Sequence, residues 1–164
     1  MRAAGRGTVL FVLLLILRGS TTTADDLGKA QSTLASLRAD LQSGRIVRAD
    51  IFSISYYRSS IARVTPDLLE VHPGNNKRSV ELSVESITQL MKAIDDTQVS
   101  LYSGGIDLKW GAVFFDKSGT RLQSIYLDGW YASLGAGRGG TIGGVDVSLN
   151  GALIVWFETN FDTR

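Results

Sequence analysis

Cysteine is missing from all 164 residues, which excludes disulfides, thiolate nucleophiles, thiolate metal sites and the lipidated cysteine of a lipoprotein. Histidine occurs once, at His72, so neither a two-histidine zinc helix nor a facial triad can be assembled. A Ser-His-Asp arrangement would have to use His72. That residue sits beside Pro73 and Gly74 in an expected turn, and no serine occupies a Gly-x-Ser-x-Gly elbow, so an exposed loop histidine is the better reading. An excess of one charge is lacking too, with 17 basic and 16 acidic residues. That balance gives no global reason to expect nucleic acid or an anionic membrane as partner.

Long apolar runs are scarce as well. The one that exists, Val9 to Leu17, has nine residues, against about 20 needed to span a bilayer. It follows Arg2 and Arg6 and precedes Arg18, and Thr22 and Ala24 offer small residues at the −3 and −1 positions before Asp25-Asp26. This is the layout of a secretory signal peptide. The expectation is that residues 1–24 are cleaved and that residues 25–164 form one globular domain, periplasmic or secreted, with no stable membrane insertion after cleavage. Loss of Arg2, Arg6 and Arg18 would leave 14 basic against 16 acidic residues. The absence of disulfides in a small exported chain leans the compartment toward a bacterial periplasm or bacterial secretion.

What the chain does contain is a series of short periodic segments. Leu27, Ala30, Leu34, Leu37 and Leu41 are spaced three and four apart and Gly44 follows, predicting an amphipathic helix with a glycine C-cap. Ile46 to Tyr57 is rich in β-branched and aromatic residues and reads as a strand covered on parts of both faces. Thr65-Pro66-Asp67 opens at most one short helical turn before His72-Pro73-Gly74. Asn75 to Arg78 reads as a polar loop, and Val80, Leu82 and Val84 as a brief strand. Ser86 with Gln89 makes a capping box for a helix carrying Ile87, Leu90, Met91 and Ile94.

Ile106, Leu108, Trp110, Ala112 and Phe114 alternate, Asp116 to Gly119 turns, and Leu122 to Leu127 returns, predicting a 106–127 β-hairpin. The glycines at 135, 137, 139, 140, 143 and 144 suggest a mobile or tightly turning loop. Leu149, Leu153, Trp156, Phe157 and Phe161 fit helical spacing with Asn150 as cap, the preferred reading, although Ala152 to Phe157 also fits a short buried strand. The fold class that follows is α+β, a two-layer sandwich with a mostly antiparallel sheet and helices packed on one face.

Few of these residues suggest chemistry. Gly135, Gly137 and Gly140 formally match Gly-x-Gly-x-x-Gly, but the preceding strand, immediate helix and later acidic residue of a dinucleotide site are lacking, so no cofactor is expected. No calcium-loop pattern occurs, and no metal is expected. Asp107, Asp116 and Asp128 could supply a glycosidase pair, with Trp110, Trp130 or Tyr131 stacking on sugar rings. Asp25-Asp26 and Asp95-Asp96 are expected to be solvated. Six basic residues between Lys29 and Arg63, with Tyr56-Tyr57 among them, resemble a phosphate-binding pattern but fit the solvated outer faces of a helix and strand better.

Trp130-Tyr131, followed by the glycine segment in which Arg138 is the only charge, combines residue types enriched at interface hot spots. Trp130, Tyr131 and Arg138 are therefore the candidate partner-binding residues, with Arg138 expected on an exposed loop. The leading functional expectation is a small exported binding protein acting on another exported or envelope protein, as an inhibitor or immunity-type factor would. A cell-wall or carbohydrate hydrolase is the alternative, and an envelope-associated structural protein a third.

Overall fold

The computed structural model describes residues 7–54, 63–71, 73–131 and 137–161, with side chains from residue 23 onward except those of Trp130, Tyr131 and Phe161. In chain order the elements are α1 (Gly7–Gln42), β1 (Ile46–Ile54), α2 (Pro66–Val71), β2 (Asn75–Glu81), α3 (Val84–Asp95), β3 (Thr97–Leu101), β4 (Leu108–Asp116), β5 (Arg121–Tyr131), β6 (Arg138–Ile142), β7 (Val145–Gly151) and α4 (Ala152–Phe161). The strands form one antiparallel sheet in the order β2-β1-β4-β5-β6-β7-β3. The chain is thus the expected α+β protein with helices packed on a sheet.

One face of the sheet carries the main core. The predicted three-and-four spacing of α1 buries Ala30, Leu34, Leu37 and Leu41, joined by Leu90, Ala93 and Ile94 of α3 and by Leu153, Ile154, Trp156 and Phe157 of α4. From below, the strands contribute Ile51, Ala112, Phe114, Ile125, Leu127, Ile142, Val147 and Leu149. Gly44 ends α1 at φ +70°, as its position predicts. α1 runs unbroken through Ala24 and Asp25, and the buried side chains it contributes begin at Ala30. No helix among the described residues is long and apolar enough to cross a membrane.

The opposite face is not bare. α2 lies there and, with Phe52, Ile54, Val64, Ile106, Leu108, Val113 and Tyr126, encloses a second, smaller core around the fully buried Leu69. This explains why β1 and β4 show weak alternation in burial: both of their faces are covered. The predicted start of α2 holds, with Thr65 accepting from the Leu69 N–H through its carbonyl (2.8 Å) and from Leu68 through Oγ1 (3.4 Å).

Several local expectations are corrected. Asn75 to Arg78 is not a loop but most of β2, where Phe52 pairs with Lys77 and Ile51 with Arg78. An edge strand with exposed side chains needs no apolar alternation, so composition conceals it. The cap of α3 is Ser83, whose Oγ accepts from Ser86 N–H at 3.1 Å; Val84 is the first helical residue rather than the end of a strand. β3, an uncharged edge strand, has no counterpart among the predicted elements. The final segment is helical, but only after β7 has run through Leu149 and Asn150 to Gly151.

The glycine segment departs furthest from expectation. Residues 138–142 are β6, an interior strand between β5 and β7, buried throughout. Gly143 and Gly144, at φ +59° and +78°, form a two-residue turn into β7, the double positive φ that a type I′ hairpin requires. Gly140 is there for proximity, since a Cβ on it would stand 2.5 Å from the Tyr126 carbonyl oxygen. A Cβ on its neighbour Gly139 would meet nothing closer than 3.5 Å. Gly140→Ala is therefore expected to lower unfolding free energy by about 1 to 3 kcal/mol, the usual range for overpacking, and Gly139→Ala by less. Urea denaturation of the two variants checks this, and equal losses would contradict the assigned packing of β6.

Candidate functional site at one end of the sheet

β5 and β6 meet where the candidate interface residues lie. Trp130 and Tyr131 are the last residues of β5, and the Tyr131 backbone pairs with Arg138, the first residue of β6. The side chains of Trp130 and Tyr131, and residues 132–136, lie outside the described residues. Arg138 does not stand on an exposed loop. It is 1% exposed, its Nη2 donates to Glu158 Oε1 at 3.0 Å, and its guanidinium lies 4.3 Å from the centroid of the Trp110 ring.

The reason is register. Arg138 pairs with Leu149 and belongs with Gly140 and Ile142 on the helix-covered face. α4 then supplies Glu158 above it. Arg138 thus joins β6, β4 and α4, combining a charge-assisted hydrogen bond with a cation–π contact in a desolvated setting. Trp110 is 6% exposed and already occupied by this guanidinium, so the expectation that it could stack on a sugar is also corrected.

A second polar cluster pins the same end from the other side of the sheet. Lys109, only 3% exposed, pairs through Nζ with Asp107 Oδ2 at 2.9 Å. Asp107 Oδ1 accepts from Val64 N–H at 2.9 Å, and the Asp107 N–H donates to Oδ2 of buried Asp128 at 3.0 Å. Partial burial pushes the Asp107 carboxyl up, but the Val64 N–H, Lys109 and the charge of Arg63 outweigh it and hold the carboxyl below its ordinary range. Asp107 is therefore an ionised acceptor at neutral pH, unsuited to donate a proton as a glycosidase acid must.

The other acidic candidates do not join this end. Asp116 closes the far turn, where its Oδ1 accepts from Ser118 N–H and Thr120 N–H, both at 2.9 Å. Asp95 forms an exposed pair with Arg38 at 2.6 Å, and Asp26 is exposed. The basic residues between 29 and 63 also disperse: Arg45 pairs with Asp40 at 3.2 Å, and Arg48 lies 4.5 Å over the Phe115 ring. His72, Tyr56, Tyr57 and Arg58 lie outside the described residues.

Two features escape the sequence. The Asp107, Lys109 and Asp128 cluster is one; Lys109 falls on an intervening position of the predicted alternation, where a charge is unremarkable unless β4 is buried on both faces. The other fastens α2 to the sheet: the Tyr126 hydroxyl donates to Glu70 Oε1 and accepts from Arg121 Nη2 at 2.6 Å, while Arg121 pairs with Glu70 at 3.1 Å. Burial and the Glu70 hydrogen bond push the Tyr126 phenol up to about 12. Among the described residues no group of three or more His, Cys, Asp or Glu is arranged to hold a metal ion.

Comparison with family models, curated proteins and solved structures finds no match to this chain.

Arg138→Ala should cost about 2 kcal/mol or more in unfolding free energy, since it removes a desolvated cation–π contact and a charge-assisted hydrogen bond; a loss below about 0.5 kcal/mol, the range of an ordinary surface change, would return Arg138 to the surface. Because folded Asp107 binds its proton more weakly than an unfolded aspartate near about 3.9, its contribution is full above that value and is lost as pH falls through the lower folded pKa. Wild type should therefore lose more stability than Asp107→Asn between about pH 7 and pH 2, measured by urea denaturation at each pH.

Proposed function

We propose that the protein is a small exported binding protein that engages another protein of the periplasm or cell exterior through the β5–β6 end of its sheet, in the manner of an inhibitor or immunity-type factor. The observation that carries this reading is the mounting of that end: Arg138 anchors the root of β6 on one side of the sheet, and Lys109, Asp107 and Asp128 anchor the start of β4 and the β5 segment beside it on the other. A connection held on rigid roots presents its residues at low entropic cost, which is how binding loops are built. Trp130 and Tyr131 lead directly into that connection and supply the aromatic chemistry of interface anchors. Arg138 serves the reading as a positioning residue rather than a contact.

Export rests on the first 24 residues, whose charged start, nine-residue apolar core and Thr22-x-Ala24 end suit signal peptidase. Because the buried side chains described on α1 begin at Ala30, cleavage before Asp25 would remove none of them.

The test is capture from the exported fraction of the host, with the protein immobilised as that host produces it. A specific partner should be retained by wild type and lost by Tyr131→Ala, with circular dichroism showing that the variant is folded. Failure to retain any protein, or equal retention by Trp130→Ala and Tyr131→Ala, would overturn the proposal. N-terminal mass spectrometry of the same material should read Asp25 as the first residue.

A further inference from the structure

The two edges of the sheet differ in a way that points to a second copy of the chain. β2, at one edge, carries Lys77, Arg78 and Glu81, the charged dress with which proteins keep exposed strands from pairing. β3, at the other, reads Thr-Gln-Val-Ser-Leu, with no charge and no proline. Its Gln98, Ser100 and Leu101 are exposed.

Register fixes which backbone groups β3 offers. Thr97 to Leu101 pair with Gly151 to Val147, and the ladder continues with the Tyr102 N–H donating to the Asp146 carbonyl at 3.2 Å. Bonded positions alternate along an antiparallel strand. Ser100 and Gln98 therefore share the phase of Tyr102 and bond inward to β7, while the N–H and C=O groups of Thr97, Val99 and Leu101 point out of the sheet.

Those three positions are symmetric about Val99. A second β3 laid antiparallel on a twofold axis through that residue pairs Val99 with Val99, and Thr97 with Leu101 in both directions. Every outward peptide group then meets its complement. The pairing also sets Gln98 opposite Ser100 of the other copy, with no like charges opposed. The same operation on β2, in the register that uses all of its outward groups, places Arg78 against Arg78, and Lys77 is already committed to Asp50 at 3.1 Å. One edge is self-complementary and the other self-repelling.

We propose that the protein forms a twofold homodimer by antiparallel pairing of β3 with β3 of a second copy, joining the two sheets into one continuous sheet. Such an isologous contact is self-limiting, because each chain has a single β3 edge and the β2 edges left at the ends resist further pairing. The contact lies at the opposite edge from β2, with β7 between β3 and β6, so it uses a different strand from the partner contact proposed above.

Size-exclusion chromatography with light scattering on the protein as its host produces it tests this, over a concentration series from the low micromolar range upward. Wild type should elute with twice the chain mass at the upper end. The double variant Gln98→Lys, Ser100→Lys sets lysine against lysine across the twofold and should be a monomer with unchanged circular dichroism. Gln98→Lys, Ser100→Glu sets lysine against glutamate and should restore the dimer. A monomeric wild type would overturn the proposal. So would a double-lysine variant that dimerises as wild type does, the behaviour of a contact made elsewhere, such as through the apolar run Val9 to Leu17.

Discussion

A guanidinium removed from water dictates much of what surrounds it. Arg138 cannot be buried without a counter-charge and a polarisable surface beside it, and the fold supplies Glu158 at 3.0 Å and the Trp110 ring at 4.3 Å. Meeting those two demands requires β6 to enter the sheet next to β5, β4 to present Trp110 to the helix layer, and α4 to turn back over β6 immediately after β7. The short β6–β7 turn at Gly143-Gly144 and the close approach allowed by Gly140 are the backbone conditions for that arrangement. Three elements distant in sequence meet at this end of the molecule around one cation.

The other side of the sheet follows a related logic with different groups. There the desolvated cation is Lys109, held by Asp107, whose backbone in turn satisfies Asp128. Farther along the same face, Tyr126 binds Glu70 and Arg121, and so fastens α2 over the second core. Both networks join residues distant in sequence: Asp107 with Asp128 in the first, Glu70 with Arg121 and Tyr126 in the second. The proposed recognition surface and the proposed dimer edge are thus served by separate parts of one sheet, the first by its anchored central strands and the second by its uncharged border.

Legibility of these features in the sequence tracks how much of the physics is local. Leu27 to Leu41, the Thr65-Pro66 start and the turn at Asp116 to Gly119 each carry their own periodicity or capping chemistry, and the structure agrees with them. β2 and β3 carry no such pattern, because edge strands with solvated side chains draw their order from a neighbour's ladder. The glycine segment misleads for the opposite reason: glycine density signals freedom in isolation, whereas at Gly140 it marks a backbone approach visible only once Tyr126 lies across it. Arg138 stands out in the sequence as the one charge of its segment, but its environment depends on Trp110 and Glu158, far from it along the chain on either side. Lys109 is illegible as long as β4 is taken to be buried on one side alone.

Residues 138–142 form an anchored interior strand, on which the proposed binding end is mounted. Native-state hydrogen exchange measures this directly, since interior ladder amides exchange only through large-scale opening while loop amides exchange at once. The amides of Gly140 and Ile142, whose register pairs them with Leu127 and Ile125 on one side and with Val147 and Val145 on the other, should be protected to the same degree as those of Ala112 and Ile125. Exchange of residues 138–142 at the rate of an unstructured loop, with β4 and β5 protected, would remove β6 from the sheet.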